Sequence, residues 1–440
     1  MRCASFHAIV LLVSATSFAA EFDVATLAEL ERLAQQSGNV VRMKPGLYRF
    51  TDHINRDQLA ARRGRGEFAL MSFGGSDNRF ELEGVTIEVD VSIRGVGRPP
   101  VHTSEFVFSG DRITISGLKI TNVGHGLSLG GAVVSNTGNE NTFEKLTLHV
   151  QGSSPYGYGD LFGKGGYKHS GFHLTGNDNR VIGCCIIMKS FGHGFYVQAG
   201  AANNLFQDCY VEGIMRPTDE MLAETSGLAF DRQFRTELKN RDGLARITPG
   251  YMKCLAEDGF RTYDDIPGLT IRNCTAKNMR GGFEMRTPSG ATLENCTALG
   301  CERGFWVADR SVVKNCRGDA KYGPLLFVEG KDASVELTLL KEESESLVHA
   351  LATVRGSGHT IQLSAPPDWQ RKKPLPILVG YGAPPAGEAM APYSQWKTSQ
   401  VTIRNATSMP IQFGPLASDC QAKTSGPVTE DAGKNNLIAP

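Results

Sequence analysis

Between residues 168 and 286 the chain gathers side chains that exchange protons beside side chains that grip carboxylates. Lys168, His169, His173 and His193 are candidate bases, Tyr196 and Tyr263 candidate acids, and Arg261 and Arg286 the cations. Imidazole titrates near neutrality, and guanidinium holds a carboxylate through two parallel hydrogen bonds. Together these groups suit β-elimination at a sugar acid. One neutralises the carboxylate, one removes the neighbouring proton, and one protonates the departing oxygen. Each residue also has a plainer reading: a lone histidine as a hydrogen-bonded structural group, Arg286 as the ion-pair partner of Glu284.

The spacing of these residues follows a repeat. Six segments share one alternating pattern: Asn141-Thr-Phe-Glu-Lys-Leu146, Asn179-Arg-Val-Ile-Gly-Cys184, Asn204-Leu-Phe-Gln-Asp-Cys209, Leu269-Thr-Ile-Arg-Asn-Cys274, Ala291-Thr-Leu-Glu-Asn-Cys296 and Ser311-Val-Val-Lys-Asn-Cys316. A second strand follows with a Gly-Phe anchor, at Phe172, Phe195, Phe260, Phe283 and Phe305, spaced by 23, 65, 23 and 22 residues. A unit of 22 to 23 residues holding short strands and tight turns, with no helical period, predicts the coils of a parallel β-helix. Stacked coils set like residues beside like. Asp208, Asn273, Asn295 and Asn315 are expected to form a ladder at one turn, with Cys209, Cys274, Cys296 and Cys316 as core residues next to it.

If each anchor Phe points inward, the next residue points out. This predicts an outward column of His173, Tyr196, Arg261, Glu284 and Trp306, and a second column holding Gln198, Tyr263 and Arg286. Lys168, His169, His193, Asp258, Arg280 and Arg303 lie just before the anchors. Two coils carry insertions, about 15 extra residues within 151–169 and about 40 within 214–258. Long insertions in a compact repeat are usually functional. They are expected to stand as two walls around the His193 and Tyr196 coil, with Trp306, Tyr156 and Tyr158 stacking on sugar rings.

The bulk composition agrees with such a chain. Lys plus Arg equals Asp plus Glu at 46 each, so no basic surplus points to nucleic acid. Gly reaches 50 residues, and the 40% hydrophobic content fills a long core. Arg2, the apolar run from Ala8 to Val13 and the small residues up to Ala20 read as an export signal over residues 1–20, placing the protein outside the cytoplasm, secreted or periplasmic. No segment is long and apolar enough to span a membrane. The expected organisation is a β-helix domain over 21–365, terminal coils or an extension over 366–417, and a disordered tail over 418–440.

The opening, Thr26-Leu-Ala-Glu-Leu-Glu-Arg-Leu-Ala34 followed by Val40-Val-Arg-Met-Lys-Pro-Gly-Leu-Tyr48, resembles the capping helix and first strand of the pectin-lyase-like right-handed parallel β-helix superfamily. The resemblance covers roughly residues 22 to 365 and implies an all-β solenoid with an N-terminal capping helix, most like a polysaccharide lyase. It also implies an acidic polysaccharide as partner and makes calcium conceivable, with Glu257, Asp258, Asp264 and Asp265 as oxygen donors. Gly192-His193-Gly194 and Gly124-His125-Gly126 are similar to a segment of the polygalacturonase branch, but the Asp residues that accompany it there are missing. A glycoside hydrolase using a pair such as Asp258 and Glu284 stays open, as do a uronan epimerase and a non-catalytic carbohydrate-binding β-helix.

Overall fold

The computed structural model describes residues 19–97, 104–125, 130–153, 155–162, 167–231, 249–319, 324–341, 350–369, 374–381 and 397–440. The expected export signal lies almost wholly outside them. The architecture is an all-β, right-handed parallel β-helix. A 13-stranded front sheet faces a 23-stranded set that folds around a tight turn into two further faces. Among the described residues, only the stem of the second insertion, Met215–Pro217 with Met252–Cys254, pairs antiparallel. No described helix is long and apolar enough to cross a membrane.

The N-terminal plug forms for local reasons. Thr26 caps helix Leu27–Ala34, with Glu29 completing a capping box. Its Leu27, Leu30, Leu33 and Ala34 are buried against the first coils. One strand, Ala20–Val24, precedes the helix and pairs with Asn39–Met43, so the solenoid begins earlier than the sequence suggests.

Inside, the anchor phenylalanines stack in register. Phe195, Phe260, Phe283 and Phe305 follow one another at 4.9, 4.9 and 5.1 Å with nearly parallel rings. That is the spacing of hydrogen-bonded strands, and each buried ring contributes about 1.5–3 kcal/mol. At the opposite turn Asp208, Asn273, Asn295 and Asn315 all take positive φ, which Asn and Asp tolerate better than most residues. Their side chains form the expected ladder: Asn273 donates to Asp208 at 3.0 Å, Asn295 to Asn273 at 3.1 Å and Asn315 to Asn295 at 2.7 Å. Cys209, Cys274, Cys296 and Cys316 are free and buried next to it.

The Gly before each Phe has a steric cause. A Cβ at Gly171, Gly194, Gly259, Gly282 or Gly304 would lie 2.5 to 2.8 Å from a carbonyl oxygen of the next coil. Consecutive N–H groups there point the same way: Gly171 N donates to His193 O at 2.9 Å and Phe172 N to Gly194 O at 2.8 Å. This is a kink in each strand, repeated coil after coil without any shift of register. It turns the residue before Gly and the residue after Phe onto the same outer face.

The C-terminal expectation is corrected. Thr402–Asn405, Ile411–Phe413, Gln421–Thr424, Val428–Asp431 and Leu437–Ala439 continue the same sheets, so 418–440 is not a disordered tail. Short alternating strands there still bury Ile403 and Ala422 and pair with the preceding coil. The Pro and Gly residues serve the turns between them.

Candidate active site

The predicted outward column exists. His173 pairs with Tyr196, Tyr196 with Arg261, Arg261 with Glu284, and Glu284 with Trp306 in adjoining front-sheet strands. Because of the kink, His193, Asp258 and Arg303 join them on that face. Gly281 stands where an added Cβ would meet Glu284 Oε1 at 2.6 Å and Asp258 Oδ1 at 2.7 Å, so its bareness leaves room for both carboxylates.

His193 is the hub. Its Nε2 lies 2.7 Å from the Tyr263 hydroxyl and 3.2 Å from Glu257 Oε2, and its Nδ1 lies 3.3 Å from Asp258 Oδ2. The imidazole is buried, and Tyr263 is the group of this pair that reaches the surface. Burial, with Glu257 nearby and Arg261 opposing, pushes the Tyr263 phenol up to about 12. Its hydroxyl therefore carries a proton at neutral pH.

Cations hold the carboxylates charged. Lys168 Nζ lies 2.6 Å from Glu257, and Arg280 lies 3.1 Å from Glu257 and 3.0 Å from Asp258. Burial works against ionisation of both acids, but it is outweighed by His193 and Arg280 at Glu257, and by Arg280, His193 and Arg303 at Asp258. Both end below the ordinary carboxylate range. Next to them, buried Glu284 is gripped from two sides by Arg261 and Arg303.

Tyr196 and His173 stack at 4.5 Å with rings 15° apart, and both His173 nitrogens are engaged, by Ser135 at 3.0 Å and Gln198 at 2.8 Å. Burial raises the Tyr196 phenol and lowers the His173 imidazole. His173 is thus a neutral, fully bonded floor residue. Arg286 lies over Trp306 with its guanidinium 4.2 Å from the ring centroid, 4.0 Å from Glu329 and 40% exposed.

Several expected positions are corrected. His169, expected as a candidate base, is fully buried, with Nε2 3.3 Å from Glu105, in a cluster with Arg94 and Asn122. Its strand enters the front sheet one residue later, so the ring turns inside. Trp306 is buried under Arg286 and donates to Glu329 at 2.8 Å, so its face is not free for a sugar. The expected pairing of Arg286 with Glu284 is also corrected, because its nearest acid is Glu329 and Glu284 belongs to Arg261 and Arg303.

The insertions do not stand as separate walls. Asp160 of the first binds Lys253 of the second at 2.6 Å, Lys253 also reaches Glu302 at 3.1 Å, and Tyr158 donates to Glu224 while Arg216 covers its ring. They join into one buttress before the front sheet, and Tyr158 is consumed in it. Tyr156 faces a different hollow, beside His125 and Lys189. Sequence reasoning missed Asp160, Lys253 and Glu302, since nothing local links residues so far apart in the chain.

The four acids conceivable as calcium donors do not converge on one site. Asp264 and Asp265 lie beyond the far end of strand Ala256–Thr262, about 20 Å along the chain from Asp258. His193, Glu257 and Asp258 do present ligand atoms within 4.8 Å of one another. Lys168 and Arg280 already balance those carboxylates, so the residues do not fit a divalent cation.

No protein-family model and no curated protein matches the chain. Among solved structures it is similar to a PL6 alginate lyase in complex with a trisaccharide, at 14% identity and a TM-score of 0.53, over 95% of this chain and 85% of that one. It is also similar to a mannuronic acid specific polysaccharide family 6 lyase from human gut microbiota, at 12% identity and a TM-score of 0.48, over 95% and 83%. The first likeness agrees with the parallel β-helix fold described above.

Proposed function

We propose that the protein is an exported polysaccharide lyase that cleaves a uronic-acid-containing chain by β-elimination on the front sheet. The observation that carries this reading is the Asp258–His193–Tyr263 array, in which the phenol lies 2.7 Å from an imidazole backed by two carboxylates. Tyr263 passes its proton to His193, and the imidazolium is stabilised by Asp258 and Glu257. The phenolate then takes the proton at C5 of the sugar acid. Arg286, exposed and held only at 4.0 Å by Glu329, neutralises the carboxylate and the charge that develops on it. The regenerated phenol protonates the departing glycosidic oxygen as the C4–O bond breaks and the C4=C5 double bond forms. His193 returns its proton to Tyr263, which closes the cycle.

Arg261, Arg303 and Arg280 do not act on substrate in this account. They pair with Glu284 and Asp258 and so fix the array. The same pairing weighs against hydrolysis through Asp258 and Glu284, because a glycosidase needs one protonated carboxyl group and here both are locked to guanidinium. Export rests on the N-terminal pattern of Arg2 and the apolar run after it. The similarity in fold to an alginate lyase bound to a trisaccharide supports the substrate class.

The test is incubation with pectin-like, alginate-like and glycosaminoglycan-like uronans while following ultraviolet absorbance. A rising band from the unsaturated product is expected on at least one. New reducing ends without that band on any uronan would overturn elimination.

A further inference from the structure

The outer face formed by Lys119–Val123, Thr147–Gln151 and Cys185–Lys189 carries a second groove, away from the front sheet. Thr121, Val123, His125, His149, Ile187 and Lys189 line a hollow of about 580 Å³. An adjoining hollow of about 250 Å³ shares His125 and Lys189 and adds Tyr156, 37% exposed, as a wall. Thr121, His149 and Ile187 form one row across three coils, and Gln151 stands beside Lys189 in the next row.

The charge of this face differs from that of the active site. Every front-sheet cation near His193 except Arg286 is bonded to a carboxylate within 3.1 Å. Lys119 and Lys189 have no carboxylate partner among the described residues. The acids on the same face are already engaged: Glu88 with Arg49 at 3.3 Å, Glu212 with Lys277 at 2.9 Å, and Asp90 with the Ser92 amide at 2.8 Å. Burial, and then Lys119 and Lys189, hold His149 below the ordinary imidazole range, so it offers a neutral ring. The groove is therefore a shallow channel with apolar patches at Val123 and Ile187, an unspent positive charge at Lys189 in its lining, and a second at Lys119 on the same face beyond its rim.

We infer that this groove is a second binding site for an anionic polysaccharide, in which Lys119 and Lys189 meet carboxylates of a stretch remote from the bond being cleaved. The inference rests on the uronan reading of the front sheet. The two lysines stand two coils and four residues apart, roughly 16 Å between Cα positions, so they engage different sugars of one chain. Val123, Ile187 and the Tyr156 ring supply apolar surface for the sugar faces. A site of this kind raises the local concentration of a long chain without touching its chemistry.

The test compares the protein with Lys119→Gln/Lys189→Gln, two outward substitutions that leave the core untouched. Calorimetry with hexamers of galacturonate, mannuronate and guluronate, in a Tyr263→Phe background, is expected to show two hexamers bound per chain, falling to one in the double variant. For turnover, KM on polymer is expected to rise about tenfold while kcat on the shortest cleaved oligomer and the melting temperature stay unchanged. Unaltered stoichiometry and KM, no hexamer bound at all, or equal loss on short and long substrates would each overturn the groove. Loss of one bound hexamer in a protein that cleaves no uronan would keep the groove and overturn the front-sheet reading instead.

Discussion

Two stacks of side chains run along this solenoid, and they differ in kind. At the turn, Asp208, Asn273, Asn295 and Asn315 repeat one hydrogen bond from a side-chain amide to a side-chain oxygen from coil to coil. On the front sheet, the same spacing carries His173, Tyr196, Arg261, Glu284 and Trp306, no two alike. A ladder of like residues satisfies itself and offers a ligand nothing. A column of unlike residues must satisfy itself through crossed partners such as Arg261 and Arg303 on Glu284, and it leaves groups like Tyr263 and Arg286 at its edge. Repetition marks architecture here, and its failure marks chemistry.

Substitutions in the two stacks should therefore give opposite results. Tyr263→Phe removes only the hydroxyl, so a loss of about 10³-fold in kcat is expected, with the melting temperature within error of wild type. Steady-state rates beside a calorimetric melt check both halves. Glu284→Gln lies in the same column but acts through stability. It leaves Arg261 and Arg303, only 11% and 12% exposed, facing each other without their carboxylate. A loss of about 3 kcal/mol is expected, read from urea unfolding, with activity falling alongside.

Acid should expose the buttress and the buried end cluster together. In the folded chain Asp160 is held at about 2, burial being outweighed by Lys253 and Arg280. Glu105 is held at about 2, burial being outweighed by Arg94 and His169. Their folded values lie below the unfolded ones, so their contribution is complete above about pH 4. It is lost as the pH falls from there toward about 2. A melting temperature that stays flat over that range would contradict these ion pairs. Smallest of all, Asn295→Ala breaks two rungs of the exposed ladder and places Ala at φ 55°. About 1–2 kcal/mol of stability is expected to go, with kcat unchanged.

The sequence made the periodic part legible. Phe172 through Phe305, the Asn ladder and the outward column all follow from a 22 to 23 residue repeat, because a parallel coil copies its neighbour's register. What escaped depends on contacts that no period encodes. His169 differs from Lys168 by one position, and that step turns it from solvent into the Glu105 and Arg94 cluster. Tyr156 and Tyr158 are two residues apart yet face different ways, one into the hollow beside Lys189 and one onto Glu224 in the buttress. Trp306 was placed in the right column, but its burial is set by Arg286 and Arg303 above it. Strict alternation also puts Asp258 inside with Phe260, and only the kink at Gly259 brings it out to His193.

The central claim is that the Asp258–His193–Tyr263 array breaks the glycosidic bond by elimination. Digestion of the responsive uronan in heavy-oxygen water, followed by mass spectrometry of the fragments, tests it most directly. Elimination gives unsaturated ends, a combined fragment mass with no water added and no heavy oxygen in the products, which form about 10³-fold more slowly with Tyr263→Phe. Heavy oxygen at the new ends, or undiminished cleavage by the Tyr263→Phe protein, would contradict it.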